Sequence, residues 1–205
     1  MPLVEEHRYK DALVKGKQKL ASLKPQEMAT FKKISWNEGK TKISLSFLNE
    51  WYEVSYPEGE ISKKEGEGHV SSPLKILILH YLTGGYMPLK EEWITFRSFP
   101  GGEEYFAPFR ARALRPLVRL FNDDPLAFLK AGEKLGGRPY NLGDAGLILY
   151  PFADIPLVYV FWKGEEEFGP AINLLFDASA PYFLPTEDFV VLGELMVSYF
   201  KKALS

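Results

Sequence analysis

The chain has 205 residues, 46% of them hydrophobic and 25% charged, which is enough apolar surface for a folded globule of one domain. Its 25 basic and 27 acidic residues form no long run of one sign, so neither a nucleic acid nor a membrane surface is expected as a partner. Cysteine is absent, which excludes disulfides, thiolate-held iron–sulfur clusters, Cys-type zinc sites and thiol nucleophiles.

In chain order, residues 4–23 read as an amphipathic helix, and Pro25 allows a short second one over 26–32. Strict polar/apolar alternation over 41–47 predicts a half-buried strand, and 51–56 has the composition of its hairpin partner. Residues 57–71 are charged, rich in Gly and without apolar periodicity, which predicts a mobile loop or a boundary. A subdivision is conceivable there, between a helix plus hairpin over 1–56 and a main region over 72–205.

Ser72 and Pro73 suit the start of a helix that Gly84-Gly85 would stop. Its interior, Ile76-Leu77-Ile78-Leu79, is apolar nearly all round and therefore reads as buried. Residues 92–99 read as a strand with Trp93, Thr95 and Arg97 on one face. A helix over 103–121 follows, kinked or restarted at Pro116, and Asp124-Pro125 opens another that Gly136-Gly137 closes.

Apolar runs over 146–151, 157–162 and 171–176 predict well-covered strands. The last two are joined by too few residues for a parallel crossover, so they should form an antiparallel hairpin. Residues 186–204 read as a helix, with Glu187 and Asp188 in its first turn and Lys201 and Lys202 in its last, as the helix dipole favours. The expected class is α+β, mainly an antiparallel sheet with helices packed on it.

The start of the chain has neither the basic region nor the apolar stretch of a signal peptide. The most apolar windows, 76–79 and 157–162, are far short of the ~20 residues that span a bilayer. No membrane association is expected, and a cytoplasmic location is.

Phosphate-loop, dinucleotide-binding, nucleophile-elbow and His-Glu-x-x-His patterns are all missing. His7, His69 and His80 are too scattered for a metal site by spacing. His80 lies on the apolar helix, where it is either a ligand or proton shuttle, or a hydrogen-bonded group at the core margin. Arg97, Arg110, Arg112, Arg115 and Arg119 are the densest binding chemistry. On a continuous helix Arg112, Arg115 and Arg119 share one face and could hold carboxylates or phosphates, or they could be solvated ion pairs. The loop from Asp177 to Asp188 joins a buried strand to the last helix and includes Tyr182 and Glu187. It is either part of a site or a turn and helix cap.

Leu79-His80-Tyr81-Leu82, Trp93-Ile94-Thr95-Phe96-Arg97, Pro100-Gly101-Gly102, Lys134-Leu135-Gly136-Gly137 and Leu175-Phe176-Asp177 through Leu184-Pro185-Thr186-Glu187-Asp188 resemble one family. It is the domain-of-unknown-function family DUF3786 of anaerobic bacteria and archaea, and the similarity covers about the last two thirds of the chain. Some relatives carry an added iron–sulfur domain and occur where corrinoid one-carbon chemistry is used, whereas this chain has no cysteine for such a cluster. The family brings no activity to transfer, and the cofactor stays unknown.

The leading expectation is an accessory or binding domain, not an enzyme, whose arginines hold an anionic small molecule such as a corrinoid or another tetrapyrrole. Arg97, Arg112, Arg115, Asp177, Tyr182, Glu187, Asp188 and His80 are the candidate binding residues, with Arg97 needing Asp177 or a ligand as its anion. One alternative is an enzyme using His80 with Asp177, Glu187 and Asp188 as acid/base groups. Another is an interaction module for a protein partner or for a homo-oligomer.

Overall fold

The computed structural model describes residues 2–205, with side chains from Tyr9 onward; the side chain of His7 lies outside that range. Helices α1 (Pro2–Ala21) and α2 (Pro25–Phe31) lead into β1 (Ser35–Asn37), β2 (Lys42–Phe47), β3 (Glu50–Ser55) and β4 (Ile61–Lys63). These four strands form an antiparallel sheet in sequence order. The alternation seen in the sequence buries Ile43, Leu45 and Phe47 on one face, opposite Tyr52 and Val54 across the pair.

Within residues 57–71, where a mobile loop or a boundary was expected, a three-residue strand forms. Ile61 opens β4, which pairs with β3 at Val54, and both Ile61 and Val70 are buried. Two isolated apolar residues within a charged stretch give no periodicity to detect, yet each completes the edge of the core.

Helix α3 (Ser72–Thr83) is buried almost throughout, as its apolar interior requires, and it crosses α1 closely where Gly16 meets Leu79. A Cβ at Gly16 would lie 3.1 Å from that side chain. Ser71, one residue earlier than expected, is the N-cap, and Gly84 ends the helix by donating its N–H to His80 O.

The second sheet holds β5 (Trp93–Thr95), β6 (Arg138–Tyr140), β7 (Ala145–Phe152), β8 (Ile155–Trp162) and β9 (Ala171–Asp177) in the order β5-β9-β8-β7-β6, antiparallel throughout. Strands β8 and β9 form the hairpin expected of them, and β8 is buried from Ile155 to Phe161. The strand expected over 92–99 stops at Thr95. A single 3-10 turn over Phe96–Ser98 follows, which takes Arg97 off the face of Trp93 and lays Phe96 flat on Phe109 with ring centroids 4.1 Å apart.

Helices α4 (Gly102–Phe109), α5 (Arg115–Phe121), α6 (Pro125–Lys134), α7 (Ala180–Phe183) and α8 (Thr186–Leu204) cover this sheet. Helix α8 is the central prop. Phe189 packs edge-on to Phe99 and Phe176, while Phe200 meets Phe121, Phe128 and Tyr159. One continuous apolar cluster includes residues of both sheets, and the Phe47–Phe152 contact at 5.1 Å and the Leu48 N–H bond to Pro151 O join them. The class is α+β. Among the described residues no helix is long and apolar enough to cross a membrane.

Candidate functional site

Pro116 has no N–H to give the carbonyl of Arg112, and its ring would press on that carbonyl in a regular helix. The chain avoids this by widening upstream. Arg110–Leu114 form one π-helical turn between α4 and α5, closed by a bond from Arg115 N–H to Arg110 O. Such turns are uncommon and occur often at functional positions.

The π turn sets which arginines face which way. Ala113 lies against Gly193 of α8, so close that a Cβ on Gly193 would come within 2.5 Å of the alanine methyl. Arg112 also turns toward α8, with its Nη1 3.8 Å from Glu194 Oε2. Arg110, Arg115 and Arg119 instead line a groove over the start of β9. The shared face expected for Arg112, Arg115 and Arg119 therefore holds for the last two, with Arg110 in place of Arg112.

The groove measures about 470 Å³ and is floored by Phe106, Leu114, Val118 and Ile172, with Asn173 the polar residue on the strand side. Among the described residues no carboxylate lines it. Among the described residues, none of the three guanidinium groups meets a carboxylate, another hydrogen-bond acceptor or an aromatic ring. All three are exposed, so their charges are hydrated and screened by salt. Together they offer forked donors along one side of an apolar strip, an arrangement that suits a carboxylate or phosphate carried on an apolar body.

The other predicted residues are dispersed. Arg97 pairs with Glu103 and stacks 3.8 Å above the ring of Phe106, so it touches the groove only through that phenyl group. Asp177, the carboxylate expected to meet Arg97, is buried and accepts backbone N–H bonds from Lys90, Glu91 and Ser179 at 2.8–3.0 Å. Burial works to raise its pKa, but these bonds outweigh it and hold the carboxyl below its ordinary range. Its oxygens are occupied in joining the segment before β5 to the segment after β9. Glu187 is exposed and accepts from Tyr105 Oη at 2.9 Å, and Tyr182 lies beneath the Lys90 ammonium at 5.2 Å.

His80 and Asp188 do come together, with Nδ1 2.6 Å from Oδ2, beside a cleft of about 210 Å³ that Lys15, Lys19, Thr83 and Pro185 also line. The other two carboxylates of an acid/base constellation are elsewhere, one enclosed by amides and one on Tyr105. No group of three or more potential metal ligands occurs among the described residues.

Sequence reasoning overlooked Asn173 and the inward turn of Arg110. Pro116 was the one signal that helical periodicity would fail just upstream of it.

Compared with known proteins, residues 24–199 match the family described as a domain of unknown function, DUF3786. No curated protein and no solved structure matches the chain.

Proposed function

The chain belongs to the DUF3786 family, and from that premise we propose that it is a binding domain that holds a small anionic molecule with an apolar body in the arginine groove. The observation that carries this reading is the set of three unpartnered guanidinium groups, Arg110, Arg115 and Arg119, along one apolar strip without a lining carboxylate. An anion there would gain charge-assisted hydrogen bonds while covering Leu114, Val118 and Ile172. The volume falls in the range of small-ligand sites.

A corrinoid or another tetrapyrrole could present its acid side chains to these arginines. The lining, however, has no histidine or methionine to reach a central metal, so the donor set does not fit that group. A smaller anion fits better. The apolar cluster common to both sheets supports action as a single α+β unit, and the family-like segments serve the site through the scaffold, with Asp177 and Asp188 fixing the ends of β9 and α8.

The test is titration with the dye 1-anilinonaphthalene-8-sulfonate, followed by displacement with suberate. Arg115→Ala and Arg119→Ala should each weaken dye binding by about tenfold. Added salt should weaken it too, and the melting temperature should not move. Equal affinity in the triple Arg110/Arg115/Arg119→Ala variant and the parent would refute the reading.

A further inference from the structure

We propose that a second, polar cavity between the β3–β4 hairpin and α8 is a binding site for a small phosphorylated polyol. The cavity measures about 380 Å³, and it shares no lining residue with the arginine groove. Tyr52, Val70 and Leu74 form its buried floor, while His69, Lys134, Ser198 and Lys202 stand exposed around it.

Among the described residues Glu50 is the only carboxylate in the lining. Its Oε1 accepts from Lys63 Nζ at 2.6 Å and its Oε2 from Tyr52 Oη at 2.5 Å, so both oxygens are engaged inside the protein. Burial works against its charge, but the bonds from Lys63 and Tyr52 outweigh that and keep the carboxyl below its usual range. Glu50 and Lys63 therefore cancel each other.

Lys134 and Lys202 are left over. Lys134 Nζ donates one bond, to Ala203 O at 2.7 Å, and the Lys202 ammonium lies 5.6 Å over the Tyr199 ring. Neither meets a carboxylate among the described residues. Lys202 also feels the Glu50 charge at longer range, but the three lysines of the lining outnumber its single carboxylate, and such a concave basic surface attracts an anion, which lysine serves as a mobile point charge.

Hydroxyls supply the rest of the chemistry. Ser71 caps α3 without using its side chain, and the Ser198 hydroxyl makes no bond among the described residues. Each can both donate to and accept from an alcohol. Inorganic phosphate would leave much of the volume unfilled, whereas a sugar or polyol phosphate is large enough to reach both ammonium groups and the serine hydroxyls that line the cavity.

The experiment is calorimetric titration of the full chain with glucose 6-phosphate, inorganic phosphate and glucose. Saturable binding of glucose 6-phosphate is expected, with phosphate weaker and glucose inert. Lys202→Met should cost roughly tenfold in affinity without lowering the melting temperature, and Ser198→Ala a smaller factor. Arg115→Ala should leave this binding unchanged, which separates the fate of this site from that of the arginine groove. The assignment is overturned by absence of saturation up to about 10 mM glucose 6-phosphate. Equal affinity in Lys202→Met, or equal binding of inorganic phosphate, would overturn it as well.

Discussion

His80 Nδ1 and Asp188 Oδ2 are 2.6 Å apart, which ties the last turn of α3 to the first turn of α8. Asp188 lies in the first turn of α8, where the helix dipole favours a carboxylate, and His80 lies in the last turn of α3. The pair therefore secures the helix that props the second sheet. His80→Ala and Asp188→Ala should each destabilise the fold, and the double variant should lose less than their sum, with a coupling of about 0.5–3 kcal/mol by urea unfolding. Additive losses would show that the contact is incidental.

Asp177 is expected to act on stability and not on ligand retention. Asp177→Asn presents an amide where three backbone N–H groups converge, and it should cost about 1–3 kcal/mol at neutral pH. The folded-state pKa is depressed, so the stabilisation is present above the ordinary value of 3.8 and is lost as pH falls through the folded value. The gap between wild type and variant should therefore close in acid, as read from denaturant midpoints at a series of pH values.

Lys32 gives a pH dependence of the same slope in an alkaline range. Its ammonium donates to the Tyr81, Leu82 and Gly84 carbonyls at the end of α3, in a site so enclosed that its pKa is pushed down to about 8. Burial is the main cause, opposed by Asp154 and reinforced by Lys19. Unfolded, the lysine titrates near 10.5, so the unfolded chain binds more protons between the two values and stability contributed by this group rises with pH there. Against Lys32→Gln, wild type should gain stability from pH 8 upward in paired unfolding curves. Parallel pH profiles would contradict this.

The approach of Gly193 to Ala113 connects packing with the groove. Gly193→Ala forces two methyl groups to 2.5 Å and should cost about 1–3 kcal/mol by pushing the π turn off α8. It should also weaken dye binding, because Arg110 opens that turn and Arg115 follows it. Adding Ala113→Gly should restore binding and part of the stability, since glycine within a helix itself costs about 1 kcal/mol.

Elements with a strong pattern were legible in the sequence. The run that became β8 is apolar because both its faces are covered, β9 alternates between exposed and buried positions at its start, and α8 shows its buried stripe through Phe189, Leu192, Met196 and Phe200. Strand β4 was not legible, because Ile61 is flanked by residues that face water and its place depends on the edge of β3. Arg97 was misplaced because the pull of the Phe96 ring onto Phe109 is a contact across thirteen residues, which local alternation does not encode. In the same way, two of the three partners of Asp177 are backbone amides some ninety positions earlier, whose identity leaves no trace in composition, whereas the bond from Ser179 N–H is the local turn the sequence offered. The arginine-rich segment was recognised as binding chemistry, but its facing required the extra width of the π turn.

That width amounts to one surplus residue in what is otherwise a pair of abutting helices. Removing one position between Arg110 and Leu114 would let the helical count run on without interruption, rotating everything upstream by roughly 100° relative to α5. Arg110, which opens the turn, and Phe106 of the floor would leave the groove while Arg115 and Arg119 stayed. The site is in this sense a phase difference between two helices, which loss of a single codon would erase without substituting any lining residue.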